Sequence, residues 1–205
     1  MPPATHASAI ILAGGRSSRM SKPKAALDFG GESILERMVE ELAPSFDDLI
    51  IVAAPEHEES FRIEIPRARI VRDEVAFAGP LDALRRGLVA ARHEIAFACS
   101  CDLPMLKSDL AAELCSLIGE HAAAIPIVDN RLQPLCAVYR KSAAGSIAKL
   151  IANGAQRLLV LAQVLDTRRV STDELRRVDP TLASFINVNT PDDYTRALKL
   201  ARGES

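Results

Sequence analysis

Short apolar runs of strand length alternate along this chain with segments whose apolar residues recur at helical spacing. That alternation limits the possible folds more than any other feature. Ile10-Ile11-Leu12, Leu49-Ile50-Ile51-Val52-Ala53, Ala68-Arg69-Ile70-Val71 and Ile95 to Cys99 read as strands. The second has no polar residue on either face, so both of its faces must be covered, as in a parallel sheet between layers of helix. Ser33 to Leu42 carries a helical stripe of Ile34, Leu35, Met38, Val39 and Leu42, stopped by Pro44. Residues 55–64 read as a short helix, and Gly79-Pro80 opens another from Leu81 to about Ala91. Ser108 is placed to cap a helix running to Glu120. Ala123 to Val128 and Leu135 to Tyr139 read as further strands, followed by apolar segments at 143–151 and 158–165. Phe185 to Val188 reads as a late strand. Thr190 then caps a last helix, with Pro191 in its first turn and Asp192-Asp193 complementing its dipole. The pattern predicts an α/β fold: a single three-layer, doubly wound, mostly parallel sheet with helices on both faces. Residues 150–179 interrupt the alternation and are expected beside the sheet.

At 205 residues, one core suffices, and one domain over 1–205 is expected. A formal net charge of -2 argues against a broad nucleic-acid face, which needs a basic excess. No stretch approaches the roughly 20 apolar residues of a membrane span. The opening MPPATHAS lacks the features of a secretory signal. Cys99, Cys101, Cys115 and Cys136 lack zinc-site spacing and read as free thiols in a reducing cytoplasm. His6, His57, His93 and His121 show no ligand spacing and are expected at solvated helix or loop positions.

Four places are candidates to carry the chemistry. In Leu12-Ala13-Gly14-Gly15-Arg16-Ser17-Ser18-Arg19-Met20, followed by Lys22 and Lys24, a strand feeds two glycines and then a cluster of cations. Glycine lets backbone N–H groups approach phosphate closely, and Arg and Lys supply fixed positive charge. The segment is neither a Walker A loop nor a dinucleotide fingerprint. An ordinary solvated loop is the competing reading of these residues. Asp102, in Cys101-Asp102-Leu103-Pro104-Met105, follows an apolar strand, and the crevice of an open α/β sheet lies beyond its strands' carboxyl ends. A single carboxylate there can hold Mg²⁺ on a triphosphate, or can simply cap the turn before Pro104. Asp73 also follows a strand. In Asn187-Val188-Asn189 the two amides leave one face of an extended segment, and turn formation is their alternative use. Arg85-Arg86 reads as a helix face.

LAGGRSSRM with the following KPKAAL resembles the nucleotidyltransferase signature. GPL at 79–81, CDLPML at 101–106, QPLCAVYR at 133–140 and FINVNTPDD at 185–193 follow in family order. Together they resemble the molybdenum cofactor guanylyltransferase (MobA) family over nearly the whole chain. The resemblance implies a Rossmann-like nucleotidyltransferase fold, with a nucleotide half at about 8–105 and an acceptor half at about 106–205. It implies transfer of GMP from GTP to the terminal phosphate of molybdopterin, with pyrophosphate released. Leu12, Ala13, Gly14, Gly15, Asp73 and Gly79 would bind nucleotide, Arg19 and Lys24 the triphosphate, and Asp102 the Mg²⁺. Asn187, Asn189 and Arg157 would serve the acceptor or the metal's shell. Molybdoenzyme chaperones and other cofactor-biosynthesis proteins are the implied protein partners. The chain departs from the family at Ser21 (usually Gly), Ala53 (Asn in some members), Asp82-Ala83 (usually Ala-Gly) and Gln156. A CTP-dependent transfer to the same pterin, another phosphate acceptor, and a non-catalytic nucleotide-binding domain are the rival readings.

Overall fold

The computed structural model describes residues 5–14, 24–53, 65, 67–72 and 79–204. Its described strands are β1 (Thr5–Leu12), β2 (Phe46–Ala53), β3 (Ala68–Arg72), β4 (Ile95–Ser100), β5 (Ala123–Val128), β6 (Arg131–Leu132), β7 (Cys136–Arg140) and β8 (Thr167–Val170). The helices are α1 (Ile34–Leu42), α2 (Pro80–Ala90), α3 (Ser108–Leu117), α4 (Ala143–Ala152), α5 (Leu161–Val164), α6 (Thr172–Leu175) and α7 (Pro191–Ala201). All eight strands join one sheet in the order β3-β2-β1-β4-β7-β5-β6, with β8 paired to β5. β1, β2, β3 and β4 are mutually parallel, as are β5 and β8, while β7 and β6 run antiparallel to their neighbours.

The central strands are short and apolar because both faces are covered. Ala9, Ile11, Leu49 and Ile51 point into one core with Met38 of α1, Leu114 of α3 and Ala197 of α7. Ile10, Leu12, Ile50 and Val52 point into the other, with Leu84 and Leu88 of α2 and Ile147 of α4. This is the expected three-layer arrangement. Gly87 makes the closest approach between layers, because a Cβ there would collide with Cγ2 of Ile10. α1 opens on a capping box between Ser33 and Glu36.

Chain order and sheet order together locate the cleft. The path runs outward from β1 to β2 to β3, then crosses back to β4 on the other side of β1. The direction of winding therefore reverses between β1 and β4. Loops diverge at such a reversal and leave a crevice beyond the strand ends.

Several expectations are corrected. Phe185–Val188 is not a strand: Ala183–Phe185 is a 3-10 turn, and the extended residues after it bond to a loop rather than a strand, through Val188 N–H and the Asp102 carbonyl (2.9 Å). Lys107, not Ser108, caps α3, and Ser108 instead donates its N–H and hydroxyl to Glu41. α3 ends at Leu117 rather than Glu120, just before Gly119 at a φ of 53°. Residues 150–179 are not wholly outside the sheet, since β8 is parallel to β5 within it. His6 lies in β1, not in a helix or loop. The helix expected over 55–64, which includes His57, lies outside the described residues.

Candidate active site

β1 and β4 deliver their ends side by side. Leu12 is the last residue of β1, and its carbonyl accepts the Cys101 N–H at 3.1 Å. Ala13 N–H donates to the Val52 carbonyl at 2.8 Å, which pins the start of the glycine loop to β2 as well. Gly14 then emerges exposed. Gly15 and Arg16 to Pro23, including Arg19 and Ser21, lie outside the described residues, as does Asp73.

The chain returns at a 3-10 turn, Lys24–Ala26. Lys24 Nζ lies 3.3 Å from Asp102 Oδ2 and donates to Asn189 Oδ1 at 2.6 Å. Residues 24, 102 and 189 thus meet although the chain separates them widely. Their backbones are fixed independently. Leu27 N–H returns to the Lys24 carbonyl (3.1 Å). The Asp102 carbonyl holds Val188 N–H, and a Thr190–Asp193 capping box fixes the start of α7, with Asp193 also accepting the Asn189 N–H at 3.2 Å. Val188 is fully buried, so Asn187 and Asn189 both face outward, as their spacing required. Asn187, however, turns its amide back to the Phe185 carbonyl (3.2 Å), and Asn189 alone is seen against Lys24.

Asp102 is the unusual group. Its side chain is 15% exposed, and one oxygen faces Lys24. Oδ1 is buried and has no hydrogen-bond partner among the described residues. An orphaned charged acceptor costs more than the roughly 1–3 kcal/mol of a neutral one. It fits a cation that binds there. No cluster of three or more His, Cys, Asp or Glu capable of holding a metal occurs among the described residues. A cation at Asp102 would be held by this one carboxylate and completed by substrate phosphates and water. Burial, and then the neighbouring Asp102 charge, push the Cys101 thiol up to about 12. It therefore supplies no thiolate nucleophile near neutral pH.

Gly79 adopts a φ of 92° at the N-cap of α2 and, having no side chain, gives the first N–H groups of that helix no side-chain cap of its own. One turn on, Asp82 holds Arg85 and Arg86 at 2.8 Å each. Burial works to raise the Asp82 pKa, but these two guanidinium partners bring it below the usual value. Arg157 is not seen in the Lys24–Asp102–Asn189 group. It is exposed after α4 and lines a cavity of about 360 Å³ with Gly154, Ala155, Gln156 and Val160. Ala53 is buried at the end of β2 and presents only a methyl group there. Sequence reasoning did not find the direct meeting of Lys24 with Asn189, because no local pattern reports a contact across 165 positions.

A sheet covered by helices on both faces, with a cation and a carboxylate at its winding reversal, is suited to binding phosphate groups. The chain belongs to the MobA-like NTP transferase domain family, which matches residues 9–169. It is 36% identical to a probable molybdenum cofactor guanylyltransferase of Methanosarcina mazei, covering 95% of this chain and 91% of that one. It is 32% identical to the molybdenum cofactor guanylyltransferase of Desulfosudis oleivorans, covering 92% of each. The crystal structure of molybdopterin-guanine dinucleotide biosynthesis protein A from Archaeoglobus fulgidus superposes with a TM-score of 0.83 at 25% identity, over 96% of this chain and 99% of that one. No helix among the described residues is long and apolar enough to cross a membrane.

Proposed function

We propose that the chain transfers GMP from GTP to the terminal phosphate of molybdopterin, releasing pyrophosphate and forming the guanine dinucleotide. The observation that carries this reading is the buried, unpartnered Oδ1 of Asp102 beside Lys24, at the winding reversal of a chain in this family. The acceptor is already a phosphate, so no general base has to create the nucleophile. Its terminal oxygen forms a bond to the α-phosphorus of GTP, and the bond from that phosphorus to the bridging oxygen breaks. Pyrophosphate leaves with the electron pair. The barrier is then largely one of bringing anions together, and fixed positive charge lowers it.

Lys24 supplies such charge to the triphosphate, and Arg19 is assigned the same task. Asp102 would hold Mg²⁺, which when bound neutralises phosphate oxygens and stabilises the departing pyrophosphate. Asn189, on the other side of Lys24, orients that ammonium. Leu12 to Gly15, Asp73 and Gly79 are assigned to the nucleotide, and Asn187 and Arg157 to the acceptor. On this reading residues 8–105 form the nucleotide half and 106–205 the acceptor half of one domain. The free cysteines suit a reducing cytoplasm, and delivery to client molybdoenzymes or their chaperones follows from the product.

The test is incubation with molybdopterin, Mg²⁺ and either GTP or CTP, with chromatographic detection of the dinucleotide. Guanine dinucleotide and pyrophosphate in equal amounts are expected. Faster turnover with CTP would overturn the guanylyl assignment. No product from either nucleotide would overturn transfer to this acceptor.

A further inference from the structure

The three segments that meet at Lys24, Asp102 and Asn189 also meet a second time, below the site, around Phe29. Phe29 is 2% exposed and sits five residues after Lys24 in a tightly bonded turn. The Asp28 carboxylate accepts the Gly30 and Gly31 N–H groups (3.2 Å each), and Phe29 N–H donates to the Glu32 carbonyl at 2.7 Å. Gly30 and Gly31 both have positive φ, which glycine alone adopts without strain.

Arg37 of α1 lies over the Phe29 ring, its guanidinium carbon 5.5 Å from the ring centre. Its Nε donates to the Pro104 carbonyl at 3.1 Å, two residues beyond Asp102. On another side, the Tyr194 ring meets Phe29 edge-on at 6.4 Å, and the Tyr194 hydroxyl donates to the Asp28 carbonyl. Tyr194 belongs to the turn of α7 that Thr190 caps and that fixes Asn189. Phe29 therefore touches one side chain that holds the Asp102 loop and another that holds the Asn189 segment.

We infer that Arg37 is a positioning residue: braced on Phe29, it sets the separation between Lys24 and Asp102. The inference rests on the reading of those two residues as the triphosphate and metal groups. Arg37 has no other evident reason to be placed so. Its ion pair with Glu32 is 3.3 Å long with both side chains more than a third exposed, and such pairs contribute little stability. A guanidinium suits the task because its plane can stack on the ring while its edge donates to a carbonyl. Lysine can reach the carbonyl but cannot form the stack. Displacing a reacting group by about 1 Å can cost on the order of 100-fold in rate, so losing the brace has a large effect at a distance.

Three proteins test this: wild type, Arg37→Gln and Arg37→Lys. Turnover with GTP is measured with kcat and KM separated. Mn²⁺ affinity in the presence of GTP is read from the electron paramagnetic resonance of unbound Mn²⁺. Arg37→Gln is expected to lower kcat by about tenfold or more and to weaken Mn²⁺ binding severalfold, with the KM for GTP nearly unchanged and the melting temperature lowered only slightly. Arg37→Lys should recover part of both losses. Unchanged kcat and Mn²⁺ affinity in Arg37→Gln would overturn the inference. So would a loss explained by the fraction of protein unfolded at the assay temperature. If wild type yields no dinucleotide, the proposed reaction fails, while the Mn²⁺ titration still judges Arg37.

Discussion

Asp48 and Asp102 stand at opposite ends of the same parallel strands, and the chain treats them in opposite ways. Asp48, near the start of β2, has a side chain only 1% exposed, and every acceptor position is used. Oδ2 accepts from the Ser8 hydroxyl (2.6 Å) and the Arg92 N–H (2.9 Å), and Oδ1 accepts two bonds from Arg69 (2.7 and 3.2 Å). Asp102, at the far end of β4, shares one oxygen with Lys24 and leaves the other buried with no partner among the described residues. A buried carboxylate surrounded by donors ties strands, helix end and edge together, and nothing can be added to it. A buried carboxylate left half-unpaired costs stability and leaves an acceptor that a cation could satisfy. The N-terminal ends of these strands are therefore closed by structure, while the C-terminal ends keep an acceptor available.

The strongest way to break this contrast is Asp102→Asn. The amide keeps the shape and removes the charge. Metal-dependent turnover is expected to fall by about a thousandfold or more, while the melting temperature stays within a few degrees or rises. Full activity in this variant, or a collapse of the fold, would show that Asp102 belongs with Asp48 as a structural group.

The contrast also explains which parts the sequence made legible. The strands and helices around the core could be read because Leu49 to Ala53 and the stripe Ile34 to Leu42 obey local periodicities that burial enforces. Asp102 and Lys24 could be read because each sits beside an apolar strand end or a glycine turn. The late segment could not. Phe185 to Val188 has the composition of a strand, but among the described residues no strand pairs with it, and its Val188 N–H reaches the loop at Asp102 instead. Composition reports what a segment tolerates, while pairing depends on what the rest of the chain places next to it. Arg157 could be named as an acceptor candidate, but its neighbours in sequence do not reveal the cavity that it lines with Gly154 and Val160. The closed end was invisible too: Ser8, Asp48, Arg69 and Arg92 form no motif, and they meet only because β1, β2 and β3 pair side by side and the chain after α2 returns to them.

A second experiment sharpens the comparison from the closed end. Asp48→Asn should leave turnover unchanged and lower stability by about 2 kcal/mol, because Ser8, Arg69 and the Arg92 N–H lose a charged acceptor. The pH dependence carries a signature. Burial works to raise the Asp48 pKa, but the bonds from Ser8, Arg92 and Arg69 outweigh it and hold the pKa below the ordinary 3.8. A depressed folded-state pKa contributes stability that is fully present above the unfolded value and lost as pH falls through the folded one. Urea denaturation of wild type and variant should therefore differ by a constant amount from pH 7 to about pH 5, and the two should converge below 3.8. A gap that stayed constant below that value would mean the Asp48 charge is not what closes this edge.

The smallest expected effect lies in how the open end is held. The closed edge is locked by ion pairs, whereas Asn189 is held through a capping box: the Asp193 carboxylate accepts the N–H groups of Asn189 and Thr190, and the Thr190 hydroxyl accepts the Asp193 N–H at 3.1 Å. Thr190→Ala removes half of this box and should cost about 1 kcal/mol in stability. Because Asn189 contacts Lys24 directly, the same change should lower turnover severalfold, an effect that Asp48→Asn lacks despite its larger cost in stability. The ratio of rate loss to stability loss thus separates the two ends more sharply than either quantity alone. If Thr190→Ala lost stability and kept full turnover, Asn189 would hold its place without the cap, and its contact with Lys24 would not matter to the reaction.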